Sequence, residues 1–244
     1  MMNLLILGAN SDVAWATAKQ FAAREGADLT LASRDMELLK KKVRDIRSRY
    51  DVSARAVVFD ALDYGTHKDF YADLQPKPDG VVLAFGHNGN QQAARHDFKT
   101  VRKIIDANFT GAVSILEIIA TDFEQRGKGL IVGISSVAGD RGRQSNYFYG
   151  AAKAALTAYL SGLRNRLFRA NVHVITVLPG FINTKMTEGM NLPGLLTASP
   201  EQVAEDIYAA WSKSKNVIYT RWFWRWIMAI IKSIPETVFK RLTL

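Results

Sequence analysis

The chain has 244 residues, 48% hydrophobic and 23% charged, proportions of a packed globular protein that exclude a disordered one. It has no cysteine, which excludes disulfide frameworks, cysteine-based metal sites and cysteine nucleophiles. A net charge of +9 allows an anionic partner, yet much of the excess sits in helix-like stretches such as Lys40 to Arg49, where a solvated face is the simpler account.

The length suits a single α/β domain. His67, His87, His96 and His173 are scattered, so no metal is expected. Basic residues are dispersed and aromatics cluster only near the carboxyl terminus, so nucleic acid is not expected either. Met1 to Leu7 is apolar without a basic leader and runs into a glycine turn, which points to a cytoplasmic protein.

Asn3 to Leu7 is a short apolar strand candidate, followed by Gly8-Ala9-Asn10-Ser11-Asp12-Val13-Ala14 and a helical pattern through Arg24. Strand, small-residue turn and helix is the arrangement that sets backbone N–H groups and a helix amino terminus against a phosphate. Of a Gly-x-x-x-Gly-x-Gly turn only Gly8 is present, with Asp12 and Ala14 at the next two glycine positions. Ser11 and Asp12 are both also candidate helix caps.

A second strand, Asp28 to Ala32, ends in Ser33-Arg34, and the helix from Asp35 carries Leu38, Leu39, Val43 and Ile46 on one face. At this strand end a dinucleotide fold meets the adenosine ribose, where an acidic residue accepts the 2′-hydroxyl and an arginine accommodates a 2′-phosphate. Arg34 therefore favours NADP(H), with NAD(H) second; the alternative is a surface arginine at a helix start. A third strand, Ala54 to Phe59, ends in Asp60, which meets an adenine or caps the next segment.

Gly80 to Phe85 is a fourth apolar strand, ending in Gly86 and a polar loop from His87. From Phe98 a helical region continues through Asn108 to Phe123, and a polar side chain set in that apolar segment must find partners. Gly129 to Ile134 reads as a fifth strand closed by Ser135-Ser136, which places a hydroxyl where open α/β sheets bind ligands. After a helix from about Tyr147 to Arg169, a sixth strand, Val172 to Leu178, ends at Pro179-Gly180-Phe181-Ile182-Asn183-Thr184. The loop carrying Met186, Gly189, Met190, Pro193 and Gly194 is long enough to close over a substrate. Pro200 starts another helix and Val217 to Thr220 is a short last strand. The alternation predicts a single Rossmann-type, doubly wound parallel sheet with helices on both faces.

Tyr149 and Lys153 stand four residues apart in an Ala-rich helical segment, so both side chains lie on one face. The ammonium is expected to lower the phenol from its usual pKa of about 10 toward the working range, as a tyrosine acting as general acid or base requires.

Taken together, the glycine turn, Asp60, Asn108 with Gly111, Ser136, Tyr149 with Lys153, and Pro179-Gly180 with Thr184 resemble, in order and spacing, the short-chain dehydrogenase/reductase family from Met1 to about Thr220. The resemblance implies a seven-stranded Rossmann sheet, a homo-oligomer, and a catalytic tetrad of Asn108, Ser136, Tyr149 and Lys153 acting on a small-molecule carbonyl. In that scheme Tyr149 exchanges a proton with the substrate oxygen and Ser136 hydrogen-bonds it. Lys153 binds the ribose and depresses the Tyr149 pKa, and Asn108 holds a water linking Lys153 to solvent. The cofactor would touch Gly8, Asn10, Ser11, Asp12 and Val13 at the pyrophosphate turn, Ser33 and Arg34 at the 2′-phosphate, and Asp60 at the adenine. Gly86, Tyr149, Lys153, Pro179, Gly180, Ile182 and Thr184 would meet its nicotinamide half. The family's Asn-Asn-Ala-Gly after the fourth strand appears here as Leu83-Ala84-Phe85-Gly86, which removes an asparagine that ties adjacent strands. With its variant turn and extended carboxyl terminus, the chain resembles the branch that includes decaprenylphosphoryl-2-keto-ribose reductases. The expected reaction is NADPH-dependent carbonyl reduction; the alternatives are an NAD-linked alcohol dehydrogenase and a catalytically silent cofactor-binding scaffold or sensor.

Residues 1–220 are thus read as the reductase domain and residues 221–244 as an aromatic and basic tail. The tail's apolar run of about ten residues is short of the roughly twenty that span a bilayer. Arg221, Arg225, Lys232, Glu236 and Lys240 fall near one helical face if the helix survives Pro235, leaving tryptophans and isoleucines opposite, as in an interfacial helix. Peripheral contact at the inner membrane face, with a lipid-linked or otherwise apolar carbonyl as substrate, is one expectation. Packing over the substrate cleft or in a dimer interface is the other.

Overall fold

In the computed structural model, which describes residues 2–189 and 193–243, short apolar runs form strands and the segments between them return as helices. In chain order the elements are β1 (Asn3–Leu7), α1 (Asp12–Glu25), β2 (Asp28–Ser33), α2 (Met36–Arg49), β3 (Ala54–Val58), α3 (His67–Ala72), β4 (Gly80–Leu83), α4 (Gln91–Ala94), α5 (Phe98–Ile105), α6 (Gly111–Arg126), β5 (Gly129–Ile134), α7 (Tyr147–Leu167), β6 (Val172–Pro179), β7 (Phe181–Ile182), β8 (Thr197–Ala198), α8 (Pro200–Ser212), β9 (Val217–Thr220), α9 (Trp224–Ser233) and α10 (Glu236–Phe239).

Seven strands form one parallel sheet in the order β3-β2-β1-β4-β5-β6-β9. The chain leaves β3 at one edge and re-enters at β4 beside β1, so the strand order reverses between β1 and β4, where an open α/β sheet binds ligands. The inner strands are buried on both faces: Leu4, Ile6, Val82 and Val132 pack on the side of α1, α2 and α8, and Leu5, Leu7, Leu83 and Ile131 on the side of α6 and α7. Continuous apolar runs are what two-sided burial demands of a parallel strand.

Several boundaries differ from the sequence reading. β3 stops at Val58 and β4 at Leu83, although the Phe59 amide still donates to the Ser33 carbonyl (3.1 Å) and the Ala84 amide to the Leu7 carbonyl (2.9 Å). The helical region from Phe98 is interrupted by a π turn, Asp106–Thr110, with Asn108 buried inside it. The stretch Phe98–Arg126 is long and apolar enough to cross a membrane by length and composition. Its Ile115, Leu116, Ile119, Ala120 and Phe123 nevertheless pack fully buried in the core. The loop after Thr184 returns through β8, which pairs with β7, just before that loop, in a miniature parallel sheet; Met190 of that loop lies outside the described residues. The tail is not one helix. Ile234 adopts an extended conformation before Pro235, as the residue preceding a proline prefers, so the proposed single face through Lys240 is broken.

Candidate active site

The carboxyl ends of β1, β4, β5 and β6 open into one cleft. Its wall brings together Asn10, Ser11, Asp12, Val13, Gly86, Ser136, Tyr149, Lys153, Pro179, Gly180, Ile182 and Thr184. Gly8, Ser33, Arg34, Asp60 and Asn108 are not part of that wall.

Gly8 has a φ of +80°, and a Cβ there would come within 2.7 Å of the Phe85 backbone nitrogen, so only glycine allows this turn to close on the end of β4. At this end the Ala84 amide donates to the Leu7 carbonyl at 2.9 Å, which ties β4 to β1. The Gly8 and Ala9 amides both donate to the Ala32 carbonyl, at 2.9 and 3.1 Å, fixing the turn to β2. Asn10 Nδ2 donates to the Asp35 carbonyl (3.1 Å), while its Oδ1 is buried without a partner among the described residues.

Of the two candidate caps, Ser11 is the one used: its Oγ accepts from the Ala14 amide at 3.1 Å. Asp12 Oδ2 instead accepts from the Lys185 amide (3.0 Å), tying the start of α1 to the loop after β7. Lys42, read above as part of a solvated face, is half-buried and donates from Nζ to the Ala9 carbonyl at 2.8 Å. Burial pulls it down to about 8, with Asp12 opposing and Lys185 and Lys19 adding to the fall.

At the end of β2, Arg34 is exposed and forms no ion pair among the described residues. His87 is held below its usual pKa by burial first, then by the charges of Lys103 and Arg34. Positive charge therefore gathers at this mouth. Asp60 caps its own turn, its Oδ1 accepting from the Leu62 amide at 3.0 Å.

Ser135 and Ser136 divide their work. Ser135 is buried and its Oγ donates to the Lys153 carbonyl at 2.9 Å and meets Thr157 Oγ1 at 2.7 Å, which anchors α7 to β5. Ser136 faces the cleft with Tyr149. Lys153 is buried, its Nζ donating to the Ile134 carbonyl at 3.0 Å and lying 5.7 Å from the Tyr149 ring centroid. Asn108 Nδ2 donates to the carbonyls of His87 (2.6 Å) and Ile104 (2.8 Å), and its Oδ1 accepts from the His87 amide (3.2 Å). A Cβ on Gly86 would lie 2.7 Å from that Oδ1 and 3.5 Å from Lys153 Nζ, so the glycine lets the loop pass between the asparagine and the lysine.

The expected lowering of Tyr149 does not occur in this protein. Burial pushes the phenol up to about 12, with the Ser136 hydroxyl pulling the other way, and burial pulls Lys153 down to about 8. Desolvation disfavours the charged form of each group, and for the phenol burial outweighs the opposing Ser136 hydrogen bond.

The cleft is also lined by Arg143, Asn146, Phe181 and Trp224; Trp224 is the tail packing over the cleft, one of the two expectations for it, while Arg143, Asn146 and Phe181 were not anticipated. A side chain at Gly180 would overlap the Trp224 indole, whose Nε1 donates to the Leu196 carbonyl at 3.1 Å. Trp224 and Met228 are buried against Val137 and Leu178. The signal available in the sequence was the buried half of the tail's apolar pattern.

The model of the short chain dehydrogenase family matches residues 2–193, and the chain belongs to that family of NAD(P)-dependent oxidoreductases. It is 34% identical over 242 residues to an uncharacterized oxidoreductase of Mycobacterium tuberculosis, covering 98% of this chain and 96% of that protein. An uncharacterized oxidoreductase of Streptomyces coelicolor is 31% identical over 245 residues, at 98% and 95% coverage. A solved short-chain dehydrogenase from Sphingobium yanoikuyae superimposes with a TM-score of 0.80 at 22% identity, over 97% of each chain, a likeness of fold. The residues present fit the dinucleotide of the family: the turn that follows Gly8, Asn10 to Val13, and the amino terminus of α1 line the cleft, and Asn10 Oδ1 is buried without a partner among the described residues.

Proposed function

We propose that this protein reduces a ketone or aldehyde to an alcohol with NADPH, Tyr149 giving the proton. The observation that supports it is the meeting of Tyr149, Ser136 and Lys153 in one cleft that also holds the turn from Asn10 to Val13. Bound there, the cofactor would supply a hydride to the carbonyl carbon. Tyr149, held neutral by burial, is a proton donor facing the oxygen on which charge develops, and Ser136 is a second hydrogen-bond donor to it. Lys153 is assigned to the cofactor ribose and to returning a proton to Tyr149. Asn108, whose side chain is spent on the loop after β4, holds that loop against Lys153. Gly8, Ser11 and Val13 are assigned to the pyrophosphate, Asp60 to the adenine, and Ile182 with Thr184 to the nicotinamide amide.

Preference for NADPH rests on Arg34, whose charge is unpaired among the described residues at the end of β2; the Sphingobium yanoikuyae relative is in complex with NADPH. The test is Tyr149→Phe: turnover of carbonyl substrates falls by about 10²- to 10⁴-fold while NADPH binding, followed by cofactor fluorescence, persists. Retained turnover overturns the assignment.

The tail is assigned to the same domain and to peripheral contact with an anionic membrane surface at the inner face, with a lipid-linked carbonyl as the corresponding substrate. Trp222, Trp226 and Ile230 recur every fourth residue and are 72%, 61% and 67% exposed. The exposed bases Arg225, Lys232, Lys240 and Arg241 accompany them, a composition suited to the interface of an anionic bilayer. A homo-oligomer, using the same surface or another, stays within the proposal.

A further inference from the structure

Two arginines on the segment between β5 and α7 are used in opposite ways. Arg141 is fully occupied: it donates to the carbonyls of Ile231, Lys232 and Ile234, pairs with Glu236 at 3.0 Å, and lies 3.6 Å from the Phe239 ring centroid. Arg143, two residues later, lines the cleft beside Tyr149, Asn146 and Trp224. Its Nε is buried with no hydrogen-bond partner, and it has no ion pair among the described residues. Asp140, which pulls its pKa upward against burial, is itself held by the Tyr219 hydroxyl at 3.0 Å.

Such an arrangement is costly in the protein alone. A guanidinium stays charged in any accessible environment, and a half-buried charge without a partner loses solvation that nothing in the chain returns. The half-buried arginines Arg126 and Arg164 each donate to two or more acceptors. Among the half-buried arginines of the described residues Arg143 alone has neither a hydrogen bond nor an ion pair, and it lines a reaction cleft. On the same loop, Asn146 Oδ1 is also buried and without a partner among the described residues.

We infer that Arg143 is a specificity residue that recognises an oxyanion, a carboxylate or a phosphate, carried by the carbonyl substrate. The planar fork matches either group in two parallel N–H···O bonds. Arg143 lines the same cleft as Asn10 to Val13; with the cofactor pyrophosphate assigned to that turn, the oxyanion Arg143 takes is assigned to the substrate, a division that the NADPH affinity of its variants tests. The inference rests on the carbonyl-reduction reading for the identity of the ligand, but the binding of an anion does not depend on turnover.

The experiment uses the full chain with NADPH and two matched carbonyl pairs, levulinate against its methyl ester and glyceraldehyde 3-phosphate against glyceraldehyde. The expected result is a kcat/KM ratio favouring the charged member of at least one pair by about tenfold or more, collapsing toward unity in Arg143→Gln and intermediate in Arg143→Lys. The NADPH dissociation constant should be alike in all three proteins. Which pair responds tells a carboxylate from a phosphate. Equal ratios in wild type and Arg143→Gln overturn the inference, as does a weakened NADPH affinity in that variant, which would move Arg143 to the cofactor. In parallel, butyrate and phenyl phosphate are titrated into the wild-type NADPH complex by calorimetry. Binding of either, lost in Arg143→Gln, supports the oxyanion site even if no carbonyl is turned over, in which case it is the reduction reading that fails. Binding of neither overturns the site directly.

Discussion

Lys153 is a charge-bearing group in a place that disfavours charge. Its folded pKa of about 8 lies below the ordinary 10.5, so below about 8 the folded state pays the full cost of burying an ammonium. Between about 8 and 10.5 the unfolded chain binds the proton that the folded chain has released, and folding stability rises with pH across that window. The shift corresponds to a few kcal/mol. Lys153→Met is therefore expected to gain in melting temperature relative to wild type at pH 7 and to lose that advantage by pH 10.5. A pH-independent difference between the two melting curves would sink the account.

Arg34 gives the second residue-scale prediction. Removing a guanidinium from a phosphate costs about 1.5–3 kcal/mol, so Arg34→Ala should weaken NADPH by roughly ten- to a hundredfold and leave NADH unchanged. Equal affinity of the wild type for both cofactors counts against the assignment. What the sequence made readable at this scale was identity and spacing: Ser136, Tyr149 and Lys153 share one cleft as their order suggested. Their ionisation was not readable, because the pKa of Tyr149 is decided by burial, and burial is set by segments far away in the chain. Arg143 escaped for a related reason. A lone arginine in a polar loop has no pattern, and only its lack of partners makes it conspicuous.

At the scale of elements, the strands were legible because two-sided burial selects apolar runs that no turn chemistry interrupts. The π turn at Asp106–Thr110 was not, since one inserted residue in a helix leaves the apolar period almost intact. β7 and β8, two residues each, are too short to leave an alternation. The tail's break was available in Pro235, and the helix does stop there. The seating of Trp224 on Gly180 is testable. Gly180→Ala forces a methyl group into the indole, so the variant is expected to lose about 1–3 kcal/mol of stability, with a red shift in tryptophan emission as Trp224 leaves its pocket. An unaltered spectrum and melting curve would mean that the indole does not sit there in solution.

For the whole molecule, net charge and shape act together. The +9 excess is dispersed, but where the tail presents Trp222, Trp226 and Ile230 it adds basic residues to an exposed apolar face. Flotation with vesicles rich in anionic phospholipid is expected to carry the wild-type protein and to leave Trp226→Glu/Ile230→Glu behind. Both side chains are largely exposed, so the fold should tolerate the change. No flotation of the wild type, with a dimer that the double variant dissolves, would assign the face to self-association.

Trp224 also has a position in time. It follows every other residue of the cleft wall in the chain, and its helix is pinned by Arg141, about ninety residues upstream. Chains fold from the amino terminus as they are made, so β1 to β6 can assemble while Trp224 is still inside the ribosome. The nascent protein thus holds six of the seven strands of its sheet and its Tyr149–Lys153 pair before it has a finished cleft, and the site is completed only when Trp224 has emerged.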